Sequence, residues 1–385
     1  MAQEVASIAV VGAGPVGLAA AALLSDVGYA VSLVAPPAPP DERTSALMAG
    51  SVALLERLGV WQEIAPASAP LRTLRIVDAT GRLIRAPEVT FDASEIGLAA
   101  FGHNIANAAL VAALEKAVAA RPIRRLAALV DDATPSDTDV SLRLASGEEV
   151  AARLVIAADG RKSKLREAAG IATDEWNYPQ AALVVNVGHS APHDDTSTEF
   201  HMRKGPFTLV PLPGNRSSLV WVDAPEESRR RLALDDTALA AEIEAQSSSI
   251  LGAIAIDGGR QVFPLSGMSV SRFADARIML AGEAAHVIPP IGAQGLNLGY
   301  RDVAALAGVL APVVGDPGAP ARLEAYDRAR RADVVTRTAA VDALNRTLLA
   351  GFLPVDALRA AGLFAIDRIP ALRHFAMRQG VGAAS

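Results

Sequence analysis

The chain has 385 residues, of which 51% are hydrophobic and only 20% charged, a balance that excludes a disordered chain and calls for a large buried interior. Its length exceeds the usual single domain, so two intimately joined domains are expected, and a net charge of -6 leaves no broad basic surface for nucleic acid. Cysteine is absent, which excludes disulfides, thiolate metal sites and a cysteine nucleophile and is compatible with a reducing cytoplasm.

Val5 to Ser25 carries no charge, yet Glu4 stands where a signal peptide needs a cation, and Gly12, Gly14, Pro15 and Gly17 interrupt what a spanning helix keeps regular. The stretch is read instead as a buried strand, Val5–Val11, a glycine turn, and a helix from Pro15 to Val27 closed by Gly28. Ala30–Val34 supplies the next strand and completes a βαβ opening of the doubly wound type. After a proline-rich loop, Arg43 to Leu58 reads as a helix. Leu71–Val77 and Arg82–Phe91 read as antiparallel strands around Asp78-Ala79-Thr80-Gly81. Ala106–Ala120 returns to helical periodicity, and Ser141–Leu144 and Val150–Ala157 read as strands. Ala182–Val187, Phe207–Pro211 and Ser218–Val222 predict a further antiparallel sheet, with a helix near Ala233–Ser247. Ile278–Ala281 is again a short buried strand, followed by a glycine loop and a helix from Leu296 to Leu310. Ala321 to Gln379 reads as two or three amphipathic helices.

Three segments carry chemistry. Gly12-Ala13-Gly14-Pro15-Val16-Gly17 follows a strand and opens a helix, so it brings backbone and a helix N-terminus close to a dinucleotide diphosphate, without separating NAD from FAD. Ala35 stands where such a fold usually places a ribose-binding acid, and Arg43 is the candidate for a paired contact to the diphosphate. Asp159, in Ala158-Asp159-Gly160-Arg161, is placed to orient ribityl or ribose hydroxyls. The third segment runs Gly282-Glu283-Ala284-Ala285-His286, then Pro289-Pro290-Ile291-Gly292-Ala293-Gln294-Gly295-Leu296-Asn297. Its glycines precede a helix N-terminus able to stabilise negative charge on a reduced flavin, which makes FAD the expected cofactor. His286 is read as a loop-bonding rather than catalytic histidine, and His189 and His193 as solvated loop residues, so no metal is expected.

With these pieces in order, the sequence resembles the class A flavoprotein monooxygenases, and among them the ubiquinone-biosynthesis hydroxylases of polyprenylphenol rings. The resemblance is carried by Gly12–Gly17, Asp41-Glu42-Arg43-Thr44-Ser45-Ala46-Leu47, Leu58-Gly59-Val60-Trp61, Ala158–Arg161, Val210–Asn215 and Gly282–Asp302, with Glu283 standing where the family commonly has aspartate. It implies an α/β fold: a discontinuous Rossmann-like FAD-binding domain (p-hydroxybenzoate-hydroxylase-like; residues 1–70, 100–172 and 265–340), an inserted, mostly antiparallel β-sheet substrate domain (71–99 and 173–264), and a helical tail (341–385). By the same resemblance Gly12, Ala13, Gly14, Pro15, Val16, Gly17, Arg43, Asp159, Gly282, Glu283, Pro290, Gly292, Gln294, Gly295, Leu296 and Asn297 bind the cofactor.

The activity implied is NADPH- or NADH-driven hydroxylation of a hydrophobic phenol by dioxygen through a flavin C4a-hydroperoxide, in a dry apolar pocket. No residue is nominated as base. The apolar tail with Arg359, Arg368, Arg373 and Arg378 suits either packing on the body or peripheral contact with a membrane or biosynthetic complex from the cytoplasm. Two alternatives remain: a non-catalytic flavin-fold scaffold, and a monooxygenase for another hydrophobic aromatic. A flavin halogenase fits poorly, because Trp61, Trp176 and Trp221 form no Trp-x-Trp pair.

Overall fold

In a computed structural model, which describes residues 6–37, 41–81, 86–289, 293–349, 361–362 and 364–381, the chain opens with β1 (Ala6–Val11), α1 (Pro15–Val27) and β2 (Val31–Val34). Next come β3 (Thr44–Met48), α2 (Ala49–Arg57), α3 (Trp61–Ile64), β4 (Ala69–Leu71), β5 (Thr73–Asp78), β6 (Val89–Asp92), β7 (Gly102–Ala106) and α4 (Asn107–Ala119). The middle holds β8 (Arg124–Leu126), β9 (Val130–Pro135), β10 (Val140–Leu144), β11 (Glu149–Ala157), α5 (Lys164–Ala168), β12 (Thr173–His189), β13 (Thr196–Met202), β14 (Gly205–Leu212) and β15 (Arg216–Asp223). It ends with α6 (Pro225–Leu232), α7 (Asp236–Gln246), β16 (Ile254–Val270), β17 (Ala274–Asp275), β18 (Ile278–Leu280), α8 (Gln294–Leu310), α9 (Pro320–Leu349) and α10 (Pro370–Val381).

Strands β18, β11, β1, β2 and β8 lie side by side and parallel, with β17 antiparallel at one edge, β10 antiparallel to β11 and β9 antiparallel to β10. Ile8, Ala9, Val10, Leu154, Val155 and Ile156 have no exposed surface, as parallel strands covered on both faces require. Helix α1 is alanine-rich where it crosses this sheet, and Gly28 ends it in a left-handed conformation (φ 111°) in which its N–H donates to the orphan carbonyls of Leu24 and Ser25.

The second sheet has the order β16-β12-β15-β14-β13-β5-β6, antiparallel except where β13 meets β5. Its two faces differ. Leu183, Val185, Phe200, Phe207, Leu209, Leu219 and Trp221 point outward onto Leu239 and Ile243 of α7 and are buried. Val184, Asn186, Glu199, Thr208, Val210 and Val220 alternate with them, so they share the inner face, and all are only half-buried.

The structure corrects several expectations. No helix spans Arg43 to Leu58: Thr44–Met48 is strand β3, pairing antiparallel with β7, and α2 begins only at Ala49. Tertiary pairing overrides local periodicity here, and Gly102 makes it possible, because a Cβ at that position would lie 2.1 Å from the Leu47 carbonyl oxygen. Helix α7 starts later than expected, at Asp236, where the Asp235 carboxylate caps it by accepting from the Ala238 N–H at 2.8 Å. Helix α8 starts two residues earlier than expected, at Gln294. His189 is not a solvated loop residue. It ends β12 with 8% exposure, donating from Nδ1 to the Ala191 carbonyl at 2.7 Å and accepting from Ser217. His193 is bound to the Leu212 carbonyl at 2.9 Å. Helix α9 runs unbroken across residue 340, where the sequence reading divides the tail from the FAD-binding part.

Candidate functional site

The first glycine turn lies at the carboxyl end of β1, between β2 and β11. Gly12 takes φ 119° and lies so close to the neighbouring strand end that a Cβ would sit 2.0 Å from the Ala158 carbonyl oxygen. A Cβ at Gly17 would lie 2.0 Å from the Gly12 carbonyl oxygen, so these two glycines serve the packing of the turn. Gly14 differs: a Cβ there would meet nothing within 4 Å, and as N-cap of α1 it supplies no side chain to the free N–H groups of the first turn. An open approach to an uncapped helix N-terminus fits a diphosphate. Pro15 holds the first helical position and Ala13 is buried.

Asp159 follows β11 beside this turn. Its Oδ2 accepts the Leu165 N–H at 3.4 Å, whereas Oδ1 is buried with no partner among the described residues. Burial raises its carboxyl above the usual carboxylate range. An orphaned buried acceptor next to an open glycine turn fits a ligand hydroxyl.

The second glycine segment meets the first through Val16. A Cβ at Gly282 (φ 62°) would lie 3.2 Å from the Val16 side chain, and one at Gly299 2.5 Å from it. Val16 thus interlocks α1 with the second loop. Gly282 is anchored by Asp302, which has no exposed surface: its Oδ2 accepts the Gly282 N–H and His286 Nε2, both at 2.8 Å, and its Oδ1 accepts Arg330 Nε at 2.6 Å. Burial alone works against this carboxylate, but His286 and Arg330 hold it charged below its usual value. Arg330 continues to Asp333, which also binds Arg301 and Arg337. His286 therefore bonds a buried aspartate of α8, and sequence reading assigned Asp302 no role. Its signal was present in the chain, because Asp302 is the only acid between Ala285 and Leu310.

Helix α8 starts with Ala293 in the left-handed region (φ 53°) and no side-chain cap, and Gly295 is open, so this N-terminus also faces space. Pro290 and Gly292 lie outside the described residues. Gln294 opens the helix within 3.4 Å of Arg337, and Leu296 is half-buried against the core. Asn297 has its side chain engaged inside the protein: Oδ1 accepts from Met48 N–H and Ser51 Oγ (2.8 and 2.6 Å), and Nδ2 donates to the Ala46 and Ala293 carbonyls (2.8 and 2.5 Å). It fastens β3 and α2 to the start of α8. Arg43 forks onto Asp41 (2.8 Å for each pair of atoms) and lies 5.5 Å from the Phe263 ring centre, and Asp41, with Glu283 in smaller part, keeps its guanidinium charged. Glu283 is exposed at the mouth of the second loop.

Across from these loops stands the inner face of the second sheet. Phe263, beside Arg43, is paired with Ala182 and so belongs to that face. Helix α9 closes one end through Tyr178 to Asp342 (2.8 Å) and through reciprocal amide bonds between Gln180 and Asn345. Helix α10 closes the β5–β6 edge, with Met377 and Val381 packed on Val89 and Phe91 and Arg373 paired to Glu95. The end of α10 meets the start of α8 in a small cleft lined by Met48, Ser51, Gln294, Asn297, Arg337 and Gly380.

Comparison with known proteins agrees with this geometry. A family model described as an FAD binding domain matches residues 5–341. A ubiquinone hydroxylase of Rhodospirillum rubrum is 35% identical over 99% of this chain and 90% of its own length. The 3-demethoxyubiquinol 3-hydroxylase of Escherichia coli is also 35% identical, over 99% of this chain and all (100%) of its own. The crystal structure of p-nitrophenol 4-monooxygenase from Pseudomonas putida superposes with a TM-score of 0.80 at 19% identity, covering 100% of both chains, and so shares the fold. The chain belongs to the FAD-binding-domain family of flavoprotein monooxygenases and, within it, to the FAD-dependent hydroxylases of ubiquinone biosynthesis.

Proposed function

We propose that this protein hydroxylates the phenolic ring of a hydrophobic ubiquinone precursor, with NADPH or NADH as reductant and dioxygen as oxygen source. The observation that carries the reading is the inner sheet face, where Val184, Val210 and Val220 form an apolar wall left half-open opposite two uncapped helix N-termini. FAD, when bound, supplies the redox chemistry that turns the reductant and dioxygen into an electrophilic oxygen donor. The chain's own residues hold and enclose. Gly14 and the start of α1 would bind the diphosphate, Asp159 a sugar hydroxyl, and the start of α8 the electron-rich side of the reduced ring. Arg43 would exchange Asp41 for phosphate oxygens. The wall and α10 exclude water from the reacting ring.

The names of the relatives support a ubiquinone precursor as substrate. Reconstituted holoenzyme is expected to oxidise NAD(P)H faster with a prenylated phenol and to place one atom from isotopically labelled dioxygen in the product. Peroxide release without product across such phenols would move the assignment to another hydrophobic aromatic.

For the lipid-tailed substrate we propose contact with the cytoplasmic membrane face through the tail. Phe364, Ile369, Leu372 and Phe375 are 38–60% exposed there, with Arg368 and Arg378 beside them. None of the described helices is long and apolar enough to cross a membrane. Flotation with vesicles rich in anionic lipid, and none with neutral ones in high salt, is the expected result.

A further inference from the structure

The inner face of the second sheet carries Asp78 at the end of β5, in register with His201, and one acid in its centre. Among residues 182–186, 197–201, 206–212 and 218–222, which form the central part of that sheet, Glu199 is the only carboxylate. Glu199 and His201 are two apart in β13 and so share the face, and Thr208 of β14 lies directly opposite Glu199 in the ladder. Glu199 Oε1 accepts His201 Nε2 at 2.8 Å, and Oε2 accepts the weaker Thr208 hydroxyl bond at 3.3 Å. His201 is 3% exposed, and its Nδ1 is buried without a partner among the described residues. The Glu199 side chain keeps 19% of its surface open, on the same face as Val184, Val210 and Val220.

A partly exposed carboxylate, held by a buried histidine and a threonine hydroxyl, on a wall otherwise built of apolar, hydroxyl and amide side chains keeps surface open to a ligand on that face beyond its pairing with His201. We propose that Glu199 is the catalytic residue that accepts the proton of the substrate's phenolic hydroxyl, with His201 and Thr208 as positioning residues. This rests on the reading of the substrate as a phenol.

As the ring carbon bonds to the electrophilic oxygen, positive charge grows on the ring and the phenolic O–H becomes acidic. The O–H bond breaks, its electron pair forms the ring carbonyl, and the proton passes to Glu199 Oε2 as the Thr208 hydroxyl gives way. When the ring carbon then loses its own proton to water, the carbonyl regains a proton from Glu199 and the carboxylate is restored. Proton and electron count close over the cycle, and no oxidant beyond that of the parent activity is required. A base held in hydrogen-bond reach contributes on the order of 100-fold or more to such a step.

The experiment compares wild-type holoenzyme with Glu199→Gln and Glu199→Asp on two phenols, an alkylphenol that is neutral at the assay pH and a polyfluorinated one that is already ionised. FAD content and the rate of flavin reduction by NAD(P)H serve as controls and are expected to stay within about twofold of wild type, since general-base loss acts on the later step. On the alkylphenol, Glu199→Gln is expected to lower kcat for hydroxylation roughly 100-fold with KM little changed and more peroxide released, and Glu199→Asp to fall between. On the ionised phenol the deficit should nearly vanish, because no proton remains to be taken. An equal deficit on both phenols, or full activity of Glu199→Gln on the alkylphenol, overturns the proposal. If Glu199→Gln loses FAD, the ratio of the two phenols measured with Glu199→Asp decides in the same way. A wild-type enzyme that hydroxylates neither phenol overturns instead the substrate reading beneath it.

Discussion

The two glycine loops that flank the cofactor space are held in place by different physics. The first is shaped by backbone packing: Gly12 and Gly17 are in contact with main-chain carbonyls, and Asp159 is the charged group beside them. The second depends on buried charge: Gly282 hangs on Asp302, which is balanced by His286 and Arg330 away from solvent. A loop of the first kind tolerates changes in charge but no added carbon at Gly12 or Gly17, whereas one of the second kind tolerates neither loss of charge nor loss of its counter-charge. Val16 joins them, so a failure in either is transmitted to the other.

The sharpest way to break this comparison is Gly12→Val. The substitution sets a β-branched side chain at φ 119° with its Cβ overlapping the Ala158 carbonyl oxygen, and no flexible neighbour is there to yield. A loss of about 4–5 kcal/mol is expected from strain and overpacking together. Purified protein should be colourless and melt far below wild type, whereas FAD retention would show that the turn can open.

Next in size is Asp302→Ala, which leaves Arg330 buried without its nearest counter-charge and frees the Gly282 N–H. The expected cost is about 3 kcal/mol. It should appear as a lower melting temperature and weaker FAD retention. Asp302 also makes the second loop acid-sensitive in the wild type. Its folded-state pKa is depressed, so its contribution is complete above the ordinary carboxylate range near about 4 and is lost as pH falls below it. The variant should lack that part of the acid transition, and an unchanged pH dependence would argue that Asp333 alone balances Arg330.

The same contrast explains what was legible in the chain. The first loop is local: strand, glycine turn and helix are contiguous, and periodicity with Pro15 and Gly28 places each within a residue or two. The second loop is held by residues far away in sequence, Arg330 and the β3 edge, and no local pattern announces that Asn297 will bind Met48 and Ser51. For the same reason Thr44–Met48 reads as helix in isolation and becomes a strand only because Gly102 lets β7 approach. Glu199 and His201 sit in an intermediate position. Their spacing puts both on one strand face, but only the register with Thr208 and the covered opposite face reveal that the face is the inner one.

Asp159→Asn tests the remaining charge at the first loop and should give the smallest effect. Asp159 is shifted opposite to Asp302: burial raises its folded-state pKa, so ionising it opposes folding at neutral pH, and the penalty fades as pH falls toward that raised value. An uncharged amide keeps one acceptor for the Leu165 N–H and removes the buried negative charge. The apoprotein is therefore expected to gain stability, by about 1 kcal/mol or less, in line with the modest net worth of a single hydrogen-bonded polar group. FAD affinity should move the other way, because the partnerless Oδ1 is the stronger acceptor for a sugar hydroxyl when it is part of a carboxylate. Opposite signs for apoprotein melting and FAD binding are the signature to look for. A variant that loses stability and keeps its affinity would place Asp159 with Gly12 and Gly17 as a residue of the turn itself, leaving the first loop free of charge altogether.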